Sequence, residues 1–358
     1  MAYDLRTNKR VEIKKEDYIT QHTGFNYVEP ASEDVDLIRN IVEQILPSED
    51  SRKCYISVLR SGMIGKLFSK IVIANGGGGN GKGLINNLFK FLLGLKYYYR
   101  GNITTITEDI KPGANPEIAG MHNCRTVIFS EPNDHQKLNT GTIKALTGDG
   151  DINARGLYQS NTVCRLPITT ILECNKKPKV NGRIDSALVR RFVNIFFPST
   201  FTDDPSLYEN VNGYYKANSE YIEERWQHSK KLALFNYLLE FDFIDIYEPK
   251  SIREATRQYL LENDDFSIFM DKYYEETEDE SCHVSIKQMV KTYKDNYLKK
   301  GTRAHKQMTK KRFEELLTEN LFWKGFYNKN YRERYRINGL NTTNILIGLK
   351  IRKEILED

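Results

Sequence analysis

The stretch Ile71–Phe91, IVIANGGGGNGKGLINNLFKF, decides how the chain is read. An apolar run, Ile71 to Ala74, leads into Gly76, Gly77, Gly78, Gly79, Asn80 and Gly81, then Lys82, Gly83 and an apolar pattern at helical spacing. Gly76 and Gly81 hold the spacing of GxxxxGK. Glycines let the backbone fold tightly and aim N–H groups at phosphate oxygens. The helix opening near Lys82 adds its N-terminal dipole, and the lysine reaches the terminal phosphates. The flanking strand and helix separate this pattern from a merely flexible glycine loop, so the stretch reads as a nucleotide site for ATP. One position departs from the usual loop: Gly83 stands where Ser or Thr supplies a hydroxyl to Mg2+. Phosphates, waters and one carboxylate can still hold the metal, so the change thins the metal site and leaves the phosphate site in place.

With 358 residues the chain has room for two or three domains, each with its own core. A hydrophobic share of 39% beside 28% charged residues is ordinary for a soluble globular protein. No apolar run approaches the roughly 20 residues that span a bilayer, and the polar N-terminus has no signal-peptide core. These features point to a cytosolic or nuclear protein without a membrane partner. The five cysteines are scattered and form no CxxC pair, which argues against a zinc site or a disulfide framework. Charge is unevenly spread. Glu262 to Glu280 holds nine acidic residues against one lysine, whereas Lys287 to Lys353 holds eighteen Lys and Arg against five Asp and Glu. Such basic density, interleaved with Tyr and Phe, favours a nucleic-acid surface over a merely solvated one.

Around the loop, strand and helix patterns alternate. KIVIAN, RTVIFSE, LPITTILECN and RFVNIFF read as strands, and LINNLFKFLLG and TGTIKALTGD as helices. The expectation is an α/β fold around a mostly parallel sheet. SEDVDLIRNIVEQILP and KCYISVLRSGMIGKLF read as helices before it, and the segment after Pro205 reads as helical up to about Phe241. The last hundred or so residues read as helices followed by the short strands RYRINGL and NILIGLKI, which suits a winged-helix-like module. The expected organisation is an N-terminal, partly helical segment over 1–60, an ATPase core over 61–205, a helical extension over 206–250 and a basic DNA-binding module over 251–358.

Three further signals follow the loop in order. RTVIFSEPND ends an apolar strand in Ser130 and Glu131. Glu131 at such a strand end can activate the attacking water and help hold Mg2+, while Ser130 occupies a place where a second acid is common. ITTILECN ends in Asn175, whose amide can bond the γ-phosphate or the lytic water; an isolated Asn before KKP is also a turn residue. RIDSALVRRFVNIFF carries Arg190 and Arg191, either of which can act across a subunit boundary as an arginine finger or sit in a salt-bridged helix end.

The segments GGGGNGKG, NPEIAGMHNCRTVIFSEP, IKALTGDGDINARGLY, TTILECNKKP, IDSALVRRFVNIFFPSTF and REATRQYLLENDDFSIFM, with the N-terminal EDYITQHTGFNY, resemble the helicase half of the poxvirus-type primase–helicases, superfamily 3 helicases of large DNA viruses and some phages. The resemblance spans most of the chain. It implies an AAA+-like P-loop ATPase that uses ATP and Mg2+, assembles as a homo-oligomeric ring, usually a hexamer, and translocates on single-stranded DNA at a viral replication site in the host cytoplasm. By motif, Lys82 binds phosphate, Glu131 is the acid of the second motif and a metal ligand, Asn175 is the sensor, and Arg190 or Arg191 is the finger. The third motif lies near a DNA-contacting hairpin, which puts Lys144 and Arg155 near DNA or at a subunit contact; a pairing of Arg155 with Asp149 or Asp151 is the alternative. The chain begins just before the family's pre-helicase region, which fits a split gene, a fragment of a longer primase–helicase or a stand-alone helicase; a separate primase or other replication proteins are candidate partners. Two other functions compete with the motor. A degenerate loop could serve a DNA-binding loader or clamp, for which Gly83, Ser130 and the basic C-terminal segment speak. A small nucleotide kinase would need acceptor and lid motifs that the sequence does not show.

Overall fold

The computed structural model describes residues 2–5, 7–110, 113–148, 151–154, 162–182, 184–243, 245–337 and 340–352. The chain forms two units, one of residues 1–182 and 187–257, the other of residues 183–186 and 258–358.

The first unit is an α/β layer structure. Helix α1 (Ser32–Ile45) presents Ile38, Ile41, Val42 and Ile45 at helical spacing to the core. Helix α2 (Glu49–Ile64) is capped by the Ser48 side chain and buries every residue from Cys54 to Met63. Next come β1 (Ile71–Asn75), α3 (Lys82–Leu93), β2 (Tyr98–Gly101) and β3 (Thr126–Phe129). The chain continues through α4 (Thr140–Leu146), β4 (Asp151–Ala154), β5 (Thr162–Arg165), β6 (Thr169–Cys174) and β7 (Phe192–Phe196).

Five of these strands form one parallel sheet in the order β7-β1-β6-β3-β2. Near-continuous apolar strands such as IVIAN and TVIF are what a sheet covered on both faces requires. Because all five strands run the same way, their C-terminal ends lie along one edge. β6 sits between the loop strand β1 and the acid strand β3. Strands β4 and β5 form an antiparallel pair beside this sheet in sequence, with Asp151 opposite Arg165.

The core of this unit joins α1, α2, α3 and the sheet to α5 (Glu224–Leu239), so α2 runs through residue 60 without a break. Helix α6 (Lys250–Leu261) is tied to β7, where Asn194 N donates to Thr256 Oγ1 at 2.9 Å. Across the sheet, Asn75 Nδ2 donates to Asn194 Oδ1 at 2.6 Å.

The segment after Pro205 differs from the helix expected there. Pro205–Tyr208 makes one short helical turn, and β9 (Tyr214–Lys216) pairs in parallel with β8 (Thr200–Thr202). Ser219–Ile222 is a 3-10 turn, and α5 begins only at Glu224. Gly213, at φ +88°, turns the chain into β9. The Asn218 side chain accepts from Glu220 N, offering the backbone a partner other than a helical carbonyl.

The second unit begins with α7 (Asp265–Tyr273), capped by Asp264, and β10 (Tyr274–Glu276). Strand β11 (His283–Ser285), α8 (Ile286–Thr292) and α9 (Lys310–Glu319) precede the hairpin β12 (Tyr331–Ile337) and β13 (Leu340–Ile347). Its antiparallel sheet has the order β11-β13-β12, and β14 (Leu349–Ile351) returns to pair with β10. An aromatic cluster fills the core: Phe269 packs edge-on against Tyr293 at 4.6 Å and Phe266 against Phe313 at 5.3 Å. Helices followed by a hairpin are the order expected of a winged-helix-like module. Among the described residues no helix is long and apolar enough to cross a membrane. The five cysteines are free thiols; Cys54, Cys124, Cys164 and Cys174 are buried and Cys282 is half-buried.

Gly62 fixes how closely α2 approaches the sheet. A Cβ there would lie 2.3 Å from Thr126 Oγ1 and 3.1 Å from the Phe89 ring. Gly62→Ala should therefore cost about 1–3 kcal/mol, although alanine is the better helix former. Gly325→Ala, which meets nothing within 4 Å, should cost nothing. Denaturant midpoints of the two variants check this.

Candidate nucleotide site

The glycine loop closes on the C-terminal edge of the sheet, pinched on two sides. Gly76 has φ +150°, and a Cβ there would stand 2.3 Å from the Phe197 carbonyl oxygen. Gly81, at φ +81°, caps α3, and a Cβ there would stand 2.5 Å from Ile45. Phe201 N donates to Gly79 O at 2.7 Å, which fastens the loop's middle to the start of β8. Gly77 and Gly78 meet nothing and lie open.

Lys82 is only 5% exposed. Its ammonium donates to Gly76 O at 2.9 Å, its one hydrogen-bond partner among the described residues. Burial pulls its pKa below the usual lysine value, and Cys174, Glu173 and Glu131 oppose that pull. An ammonium with three donors, one of them used, is short of anionic partners. Asn80 adds a second unfilled donor: its side-chain nitrogen is buried without a partner. The loop thus fits a phosphate group. Burial pushes the neighbouring Cys174 thiol up to about 12, so it stays neutral beneath the loop.

Glu131 and Asn175 meet at the ends of β3 and β6. Asn175 Nδ2 donates to Glu131 Oε2 at 2.8 Å, and Asn175 N to Glu131 Oε1 at 2.9 Å. Lys176 N donates to the same Oε1 at 3.3 Å. Both carboxylate oxygens therefore have partners. Ser130 accepts from Arg100 Nε at 3.1 Å. A Cβ at Gly83 meets nothing within 4 Å, so space does not require glycine there. No group of three His, Cys, Asp or Glu able to hold a metal occurs among the described residues. The protein's own contribution to a Mg2+ site is accordingly thin.

These groups line one cleft of about 540 Å3, the size of a small-molecule site. The structure brings residues 78–83, Glu131 and Asn175 together there. Gly76 and Gly77 form the base of the same loop. Arg190 and Arg191 do not line the cleft. They precede β7, at the opposite end of the sheet, about 16 Å of strand away. Arg191 is engaged, its Nε donating to Thr147 Oγ1 at 3.0 Å and Nη1 to Ala187 O at 2.8 Å, whereas Arg190 is exposed. Lys144 is half-buried in α4, away from the cleft. Arg155 and Asp149 lie outside the described residues.

Sequence reasoning missed several cleft residues. Phe201, Tyr221 and Ile222 form an apolar flank with the Asn218 amide among them; the residues from Asn218 on are hidden by the expectation of a continuous helix. The Tyr221 ring lies against Trp226 at 4.5 Å, and Ile222 is 78% exposed. Arg100 and Glu173 also line the cleft. A signal existed for both: KYYYRG has the aromatic richness of a strand, and Glu173 is a lone charge inside an otherwise apolar strand.

Comparison with known proteins bears on what this cleft serves. No family model matches the chain. It is 25% identical over 307 residues to a protein of Acanthamoeba polyphaga mimivirus that bears the provisional name of helicase L207/L206, a match covering 81% of this chain and 32% of the relative. It is 29% identical over 195 residues to primase D5 of fowlpox virus, covering 51% of this chain and 24% of that protein. The chain thus spans a third or less of the length of these relatives. Among solved structures, the apo C-terminal region of NrS-1 matches 91% of this chain and 78% of its own, at 15% identity and a TM-score of 0.49. By sequence, the chain is a homologue of the helicase-named and primase-named proteins of large DNA viruses.

Proposed function

We propose that the chain is the ATP-hydrolysing motor of a superfamily 3 DNA helicase that translocates on single-stranded DNA during viral replication in the host cytoplasm. The observation that carries this reading is the meeting of Lys82, Glu131 and Asn175 in one cleft at the C-terminal edge of a parallel sheet. The loop N–H groups and the Lys82 ammonium would bind the β- and γ-phosphates of ATP. Phe201, Tyr221 and Ile222 offer an apolar wall to the base. Glu131 would orient and deprotonate the attacking water once an oxygen is released by Asn175 or Lys176 N. Mg2+, held by phosphates, waters and Glu131, would supply charge neutralisation.

Arg190, exposed at the far end of the sheet, would reach a cleft only in a neighbouring subunit, which favours a ring, six-membered by resemblance. Lys144 and Arg155, by resemblance, would meet the phosphates of single-stranded DNA. In the second unit, Lys310, Lys311, Arg334 and Arg336 are exposed on α9 and β12 and would add a sequence-independent phosphate surface. A primase would be a separate domain or partner.

The second reading, a DNA-binding loader or clamp with an idle nucleotide site, is favoured by Gly83, by Ser130 and by the full occupancy of both Glu131 oxygens.

ATP hydrolysis by the purified chain, with and without single-stranded DNA and beside Lys82→Ala, separates the two. A motor gives hydrolysis that rises with DNA and falls at least ~100-fold in the variant. DNA binding without hydrolysis would establish the clamp. Gly83→Thr should fold normally, since its Cβ enters open space, and should tighten Mg2+ by adding a hydroxyl ligand; the Mg2+ concentration giving half-maximal hydrolysis reads this. Neutralising Lys310, Lys311, Arg334 and Arg336 should weaken single-stranded DNA binding and flatten its salt dependence by about 0.7 for each phosphate no longer neutralised. DNA-free hydrolysis should be unchanged, and its disappearance from correctly folded protein would refute the separation of DNA surface from nucleotide cleft.

A further inference from the structure

We propose that Arg100 is a phosphate ligand of the nucleotide cleft and takes over part of the charge neutralisation that a metal ordinarily provides, so that this site holds a nucleoside triphosphate with reduced dependence on Mg2+. The inference rests on the ATP-site reading above and deepens it. Arg100 lies in the last turn of pleat of the edge strand β2 and reaches across the end of β3. Its Nε donates to Ser130 Oγ at 3.1 Å and its Nη1 to Glu173 Oε2 at 2.9 Å. Tyr98, two residues back on the same strand, lies close enough to favour the charged form of the guanidinium as well. Glu173 is in turn held by Asn86 Nδ2 at 2.6 Å, and Asn86 lies on the helix that the glycine loop opens. The guanidinium is thereby fixed relative to the loop.

Three features turn this ion pair toward a ligand. First, the Arg100 side chain is 48% exposed and lines the same cleft as Lys82 and Glu131, whereas its partner Glu173 is 16% exposed. Second, a guanidinium carries five N–H donors in a planar fork suited to phosphate oxygens, so the bonds above leave donors over. Third, both positions where a metal ligand is usual lack one, Gly83 having no hydroxyl and Ser130 no acid, and the Ser130 hydroxyl is the one to which Arg100 is tied. With Lys82 alone, the carboxylates Glu131 and Glu173 would leave the cleft net negative. Arg100 removes that excess, so a phosphate meets no net repulsion even before a cation arrives.

The test is the affinity of the full chain for a fluorescent ATP analogue, measured with Mg2+ and with excess EDTA, for wild type, Arg100→Gln, Arg100→Lys and Glu173→Gln, with a melting temperature for each. Wild type should lose less than ~10-fold in affinity when the metal is removed. Arg100→Gln should lose on the order of 10- to 100-fold in EDTA, the range expected for charge-assisted hydrogen bonds, and much less with Mg2+. Arg100→Lys should recover part of the loss, since it keeps the charge without the fork. Glu173→Gln should retain metal-free binding. If Arg100→Gln and wild type show the same metal dependence, or if Glu173→Gln loses EDTA binding as fully as Arg100→Gln while both melt early, the pair is structural and the proposal falls. A wild type that binds the analogue with Mg2+ but not in EDTA overturns the proposal while the ATP-site reading stands. A wild type that binds no analogue under either condition overturns both.

Discussion

No side chain fits at the two ends of the glycine loop, and the arrangement of the first unit follows from that exclusion. At Gly76 the obstacle is the backbone leaving β7; at Gly81 it is Ile45, the last residue of α1. The loop is therefore gripped between the N-terminal helix and the exit of the sheet's edge strand. Its middle is held by the chain entering β8. Two regions far apart in sequence, the end of α1 at Ile45 and the stretch from Phe197 to Phe201, must be packed before the loop takes this shape. The helices ahead of the sheet are accordingly part of the nucleotide-site scaffold, and their apolar faces share its core.

The sheet supplies what the loop cannot. Parallel strands deliver their last residues to a single edge, so Arg100, Ser130, Glu131, Glu173 and Asn175 reach the loop without any long-range accident of packing. The placement of β6 between loop and acid puts an amide and a second carboxylate directly beside the catalytic candidate. The two acidic and two basic side chains of the cleft form a small, balanced set in which every oxygen of Glu131 and Glu173 already has a donor. Such a set is held firmly and rearranges only when a ligand offers competing charge.

Much of this was legible in the residues. IVIAN, TVIF, TTILEC and FVNIF are short apolar runs with few competing interpretations, and GxxxxGK fixed where the phosphate loop lies. α1 and α2 followed from apolar spacing and from Pro47. Three things were not legible. The region 209–223 sits ahead of a true helix and reads as continuous with it, but Gly213 and the Asn218 side-chain bond divert it locally, and with it went the apolar flank at Tyr221. The edge strand carrying Arg100 is marked only by the tyrosines of KYYYRG, a composition without the alternation that would have placed a strand there. The partnership of Glu131 with Asn175 depends on strand order, which no local pattern states. The arginine pair was visible, yet its distance from the cleft was not, because that distance is the length of β7.

The thiols carry a practical corollary for spectroscopy. Attack by a labelling reagent needs both access and thiolate. Cys54, Cys124 and Cys174 are buried, and burial raises all three above the ordinary thiol range; Cys164 is buried too. Cys282 alone is half-open, with desolvation and the Asp279 carboxylate holding its pKa somewhat above the usual value. A maleimide dye at mildly alkaline pH would thus attach to the native fold at a single place, in the second unit. The wild-type chain is in that sense already a singly tagged reporter, needing no cysteine removed or added before its motions are watched by fluorescence.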